Sequence, residues 1–174
     1  IHYLDQIDLL AESFVLLDPS RIRKLKLRFD GKVCEGFITG LSKTLKSFNS
    51  LETLGLKFSQ FCEIQEADLT LLGSVIGGLA SLSYLSIRFR ENFELEGILE
   101  NLALALGSLQ NLTSLKIHFG HEPSAMKNDK IPQLFSSIGL LKSLKSLAVN
   151  FDNSEMRTDH HLEILANSIG KLSF

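Results

Sequence analysis

Cysteine is scarce in this sequence. Cys34 and Cys62 are the only two in 174 residues, and neither stands in a CxxC or zinc-ligand spacing. Two cysteines cannot build the disulfide framework of a small secreted domain, so a reducing, cytoplasmic compartment is the expectation. Long apolar runs are missing as well. No stretch reaches the ~18 residues of a membrane-spanning helix, and no basic segment leads into an apolar one at the start, so the sequence shows neither span nor signal peptide. Charge of one sign is equally absent. With 18 Lys and Arg against 20 Asp and Glu, the formal net charge is -2. That balance supplies no global field for nucleic acid or an anionic membrane.

Catalytic signatures are wanting too. GxxxxGKS/T, GxGxxG, HExxH and GxSxG do not occur, so nucleotide cradling and the common hydrolase chemistries have no carrier. Histidines gather in two places only, His118 with His121 and the group Asp159, His160, His161 and Glu163. Adjacent His160 and His161 diverge on a helix, and His118 and His121 straddle a strand end. Surface or capping roles therefore outweigh a metal site at either place. The expectation is a protein that is not an enzyme, has no cofactor or metal, and takes no small-molecule substrate.

What is present is a core and a repeat. Hydrophobic residues make up 44% and charged residues 22% of the chain, enough to bury one domain spanning 1–174. One phrase recurs five times: IRKLKLRF from Ile22, LETLGLKF from Leu51, LSYLSIRF from Leu82, LTSLKIHF from Leu112 and LKSLAVNF from Leu144. Its marker residues Leu25, Leu54, Leu85, Leu115 and Leu147 are spaced by 29, 31, 30 and 32 residues. A period of that size means stacked supersecondary units.

Within each phrase the apolar residues alternate, as in Leu54, Leu56 and Phe58, which is the period of a strand with one buried face. Between phrases the period becomes helical. Phe37, Ile38, Leu41, Leu45 and Phe48 form one such set, and Leu69, Leu72, Ile76 and Leu79 the next. Leu99, Leu102, Ala103, Leu106 and Leu109 supply a third, and Leu134, Phe135, Ile138 and Leu141 a fourth. Leu162, Leu165, Ala166 and Ile169 open another. Gly77-Gly78 reads as a helix stop, and Gly120 to Asp129 as a loop.

Each unit is thus strand, loop and helix, with parallel strands side by side and the helices in a second layer. Strands sit about 4.8 Å apart while packed helices need about 8–10 Å, so such a stack curves with its sheet inside. The predicted fold is an α/β horseshoe solenoid of about five repeats of 29–32 residues, with a concave parallel sheet and convex helices.

The LxxLxLxF strands followed by helices resemble leucine-rich repeats, most similar to the long, ribonuclease-inhibitor-like class. The closing Phe also resembles the degenerate longer arrays of protist proteins, notably those of ciliates. The resemblance covers essentially the whole chain. It implies a protein-protein interaction module or a scaffold subunit of a multi-subunit complex, with the cytoskeleton or the cilium among its settings. As an alternative it implies a regulatory protein such as a GTPase activator, an enzyme inhibitor or a ubiquitin-ligase substrate receptor. An activator would need a nucleotide-proximal polar residue on a loop beside the sheet, and Arg90 is the residue that could be cast in that role.

One departure from the family is plain. Its usual Asn or Cys ladder, which satisfies backbone groups where the strand turns, is replaced after the Phe by Asp30, Ser59, Arg90, Gly120 and Asp152. A stack of Phe29, Phe58, Phe89, Phe119 and Phe151 is the expected substitute, each buried ring worth roughly 1.5–3 kcal/mol.

If the Leu and Phe positions point inward, the residues between them form the concave face. Lys24, Thr53, Tyr84, Ser114 and Ser146 make one column, Lys26, Gly55, Ser86, Lys116 and Ala148 the second, and Arg28, Lys57, Arg88, His118 and Asn150 the third. Stacked like charges weaken a sheet by a few tenths of a kcal/mol per pair. Lys24, Lys26, Arg28, Lys57, Tyr84, Arg88, Lys116 and His118 are therefore the candidate partner-binding residues, facing an acidic protein surface or tail. A merely solvated face, its charge offset by Asp30, Glu52 and Asp152, is the competing reading.

Acidic residues gather after the strands and on the helices, among them Glu63, Glu66, Asp68, Glu91, Glu94, Glu96, Glu100 and Glu163, where helix N-terminal preference accounts for them. Cys34 and Cys62 differ by one position in the repeat. That allows proximity in neighbouring coils, although two buried free thiols are the ordinary reading. The sequence opens on Ile1 and neither end looks like a polar cap. A fragment of a longer array, beginning with a helix around Ile7, Leu10, Phe14 and Leu17, is the expectation.

Overall fold

A computed structural model of the chain describes residues 18–29, 36–58, 66–89, 95–120, 130–151, 159–170 and 172. Five strands alternate with five helices: β1 Lys24–Phe29, α1 Phe37–Lys46, β2 Thr53–Phe58, α2 Glu66–Gly77, β3 Tyr84–Phe89, α3 Leu95–Ser108, β4 Ser114–Phe119, α4 Ile131–Ile138, β5 Ser146–Phe151 and α5 Asp159–Ile169. Asp18 precedes β1 and caps a short 3-10 turn, Pro19–Arg21, accepting from the Ser20 backbone N–H at 3.0 Å and the Ser20 hydroxyl at 2.6 Å. Those donors, the hydroxyl first, hold the Asp18 carboxyl below the usual carboxylate range.

The strands form one parallel sheet in the order β1-β2-β3-β4-β5, each beside its sequence neighbour. Every repeat joins the next in phase: Leu25 pairs with Leu54, Leu54 with Leu85, Leu85 with Leu115 and Leu115 with Leu147. Alternation explains the layering. The Leu, Ile and Phe side of the sheet faces the helices and closes one continuous core from Leu25 to Leu172. The three central strands are buried most completely on that side, while Leu27 and Phe29 at one edge and Leu147 and Val149 at the other are partly buried. Edge strands have only one neighbour to cover them.

Where the helix periodicity predicts one more apolar helical residue, the chain has already turned. Phe48 N–H donates to Leu45 O and Leu51 N–H to Phe48 O; Leu79 repeats this with Ile76, and Leu82 with Leu79. Leu109 and Leu112, then Leu141 and Leu144, close the same pair of three-residue turns. An apolar residue every third position keeps each turn anchored in the core while its carbonyls are satisfied locally. The entry into α1 is special. Gly36, with φ 82, is the left-handed residue ahead of the helix, and its carbonyl accepts from Gly40 N–H at 2.9 Å.

The Phe stack is present. Phe29 and Phe58 stack with centroids 5.3 Å apart, Phe58 and Phe89 at 5.5 Å, and Phe89 and Phe119 at 6.0 Å, while Phe37 meets Phe29 edge-on at 4.5 Å. The Phe151 side chain, Cys34, Cys62, Arg90, Asp30, Ser59, Asp152, residues 121–129 and the helical reading of Ile7 to Leu17 lie outside the described residues. Among the described residues no helix is long and apolar enough to cross a membrane.

Candidate binding face

A second ladder fixes the start of every strand, and it sets the register of the face above it. Arg23 O accepts from the N–H groups of both Glu52 and Thr53, Glu52 O from Ser83 and Tyr84, Ser83 O from Thr113 and Ser114, and Thr113 O from Lys145 and Ser146. Hydroxyls reinforce the middle rungs. Ser83 Oγ donates to Glu52 O at 3.1 Å and Thr113 Oγ1 to Ser83 O at 2.9 Å. One turn earlier, Ser81 Oγ donates to Asn49 O at 3.0 Å and Asn111 Nδ2 to Ala80 O at 2.9 Å. The sequence pattern placed the backbone problem after the Phe and missed this solution before the strand. Its column, Arg23, Glu52, Ser83, Thr113 and Lys145, shares no residue type that periodicity could single out.

With strand starts aligned, the residues between the core positions line up as the alternation predicts. Lys24 pairs with Thr53, Thr53 with Tyr84, Tyr84 with Ser114 and Ser114 with Ser146. Lys26, Gly55, Ser86, Lys116 and Ala148 form the central column; Arg28, Lys57, Arg88, His118 and Asn150 form the third. All fifteen are exposed or half-buried. Six of them are Lys or Arg, and among these positions none is Asp or Glu. In a chain with slightly more acid than base, that separation is local.

Side-chain geometry ties parts of the face together. Lys116 reaches diagonally from β4 to β3, its Nζ 5.9 Å from the centre of the half-buried Tyr84 ring. Such a contact is worth roughly 0.5–1 kcal/mol at an exposed site. Asn150 Nδ2 and His118 Nδ1 lie 3.2 Å apart, a hydrogen bond between β5 and β4. On β1, the Lys26 stem lies against Gly55 so closely that a Cβ there would stand 3.1 Å from Lys26 Cγ. Glu52, one of the expected offsets to the basic columns, is engaged by Arg23 ahead of the strands.

Two acidic groups of the helix layer make lateral contacts. Thr39 Oγ1 donates to Asp68 Oδ1 at 2.9 Å between α1 and α2, and Lys130 pairs with Glu100 at 3.2 Å ahead of α4. Asp159, His160 and His161 lie in the first turn of α5, with Glu163 exposed one step on. Among the described residues, no three His, Cys, Asp or Glu side chains converge as metal ligands would. Compared with protein-family models and with curated proteins, the chain matches none.

Proposed function

We propose that the chain is a leucine-rich-repeat-like horseshoe acting as a non-enzymatic protein-binding module or scaffold subunit of a larger assembly, with an acidic protein surface or tail seated on its open sheet face. The carrying observation is the charge count of that face: six cations and no carboxylate at fifteen described positions. Stability alone would favour mixed signs, because like charges on adjacent strands repel by a few tenths of a kcal/mol per pair. Retaining them fits a surface selected for a partner of opposite charge, whose approach they would also steer. Tyr84, the one aromatic on the face, is its natural anchor. The different widths of the strand and helix layers make this the concave side. A cytoplasmic assembly, cytoskeletal or ciliary included, belongs to the same proposal.

The test is a pull-down from native lysate with the wild-type chain and with Arg28, Lys57 and Arg88 all changed to Glu. A matched control reverses Lys43 and Lys46 on α1. Loss of a specific partner with the face variant and its retention with the control is the expected result. Unchanged recovery removes the face from the mechanism.

A further inference from the structure

The open face carries a more particular feature than its net charge. Lys26 on β1 and Lys116 on β4 are both exposed, and each has solvent to turn into. The Lys26 Cγ lies beside Gly55 of β2, 3.1 Å from where a Cβ on the glycine would stand. Lys116 leans toward β3, bringing its Nζ to 5.9 Å from the Tyr84 ring centre.

Between the two lysines the central column holds only Gly55 and Ser86, the smallest pair on the face. Adjacent strands are about 4.8 Å apart and alternate residues on a strand about 6.6 Å, so this floor spans the width of one carboxylate with its hydrogen-bonding partners. Tyr84 stands at one end of the Ser86 strand and Arg88 at the other, each two residues from Ser86. Arg88 offers a planar fork suited to a carboxylate, and Ser86 a hydroxyl donor.

We propose that Lys26, Gly55, Tyr84, Ser86, Arg88 and Lys116 form an oxyanion recess that receives the carboxylate of one acidic side chain presented by a protein partner. The inference rests on the protein-binding reading of the face and names its anchor. Lys26 and Lys116 stand three strands apart, about 14 Å at 4.8 Å per strand, with Arg88 beside the floor between them, and a carboxylate seated on that floor is attracted to all three. Tyr84 supplies the wall that limits entry. A Cβ at position 55 would stand 3.1 Å from Lys26 Cγ and shift that stem, so Gly55 keeps the floor open.

The experiment is an NMR titration of the nitrogen-15-labelled full chain with hexaglutamate, with hexaglutamine as the uncharged control and inorganic phosphate as a separate arm, all at one ionic strength. The expected result is that hexaglutamate moves the Gly55 and Ser86 amide signals most, and that hexaglutamine leaves them in place. Removing both cations in a Lys26→Gln, Lys116→Gln variant should raise the midpoint concentration about tenfold, each exposed pair contributing up to about 1 kcal/mol. Ser86→Val, which fills the floor and keeps every charge, should raise it about fivefold.

A Lys43→Gln, Lys46→Gln variant on α1 should leave the midpoint unchanged. The recess is overturned if shifts follow lysines over the whole surface, or if the two double variants behave alike. Saturation by inorganic phosphate at the same concentration as hexaglutamate overturns the partner side chain as occupant. If the recess fails while lysate recovery still depends on Arg28, Lys57 and Arg88, the binding face stands without this anchor.

Discussion

Gly73 on α2 lies against Asn101 on α3 so closely that a Cβ on the glycine would stand 2.8 Å from the Asn101 carbonyl oxygen. Gly77, one turn on, meets Ala105 in the same way, with 3.2 Å from a Cβ to Ala105 Cα. Two helices that must follow strands set about 4.8 Å apart are drawn together where side chains are smallest.

Helix propensity and packing therefore oppose each other at Gly73. Ala in place of Gly ordinarily stabilises a helix interior by about 1 kcal/mol. At Gly73 the backbone of α3 blocks the methyl group, and overpacking of about 1–3 kcal/mol outweighs the gain. Gly40, inside α1, has nothing within 4 Å of its Cβ direction. Gly73→Ala should lower the melting temperature and Gly40→Ala raise it by roughly 2–4 °C. Two thermal melts decide it, and equal shifts of one sign would remove the close approach from the account.

The hydroxyl ladder carries its own prediction. Thr113→Val keeps the β-branched shape and deletes the donor to Ser83 O, which still receives the Thr113 and Ser114 N–H groups. The expected loss is about 0.5–1.5 kcal/mol in urea unfolding. Serine restored at position 113 should recover most of it, because its hydroxyl can reach the same carbonyl.

The strand register was legible because two periods agree in the sequence. Alternation decides which residues face inward, and the five in-phase phrases decide which of them pair, so all three outward columns followed without knowledge of the helices. The close contact of α2 with α3 was not legible. Gly77 read as a stop because a glycine beside another glycine at the end of an apolar helix does both jobs with one letter. The turns at Phe48, Leu79, Leu109 and Leu141 were absorbed into the helices because a spacing of three residues serves a helix face and a three-residue turn alike. The place of the Lys116 ammonium over Tyr84 had no signal either, since rotamers of exposed lysines follow from their neighbours in space.

The Phe stack should be strongest in its middle. Phe58 is fully buried between Phe29 and Phe89, whereas Phe29 is partly exposed at the sheet edge. Phe58→Ala should cost about 3–5 kcal/mol, including the cavity left between two rings. Phe29→Ala should cost clearly less. Denaturant unfolding of both variants checks the order, and a larger loss at Phe29 would contradict it.

Asp18 offers a test by titration. Its folded-state pKa is lowered, first by the Ser20 hydroxyl and then by the Ser20 backbone N–H. A lowered carboxylate pKa contributes stability that is present above the unfolded value and is lost as pH falls through the folded one. The Asp18 carboxyl carbon should therefore titrate at lower pH than a free aspartate in NMR. Ser20→Ala should move that midpoint up, and an unmoved midpoint would assign the shift to another cause.

Stability and binding should part company at Lys57, which lies between Arg28 and Arg88 in the register of the sheet. Lys57→Glu replaces two like-charge neighbours with two opposite-charge ones, each such cross-strand pair being worth roughly 0.2–1 kcal/mol. The expected outcome is weakened recovery of an acidic partner with the fold retained, read by pull-down and a thermal melt. A drop in stability with partner recovery intact would mean that Lys57 serves the fold and not the binding face.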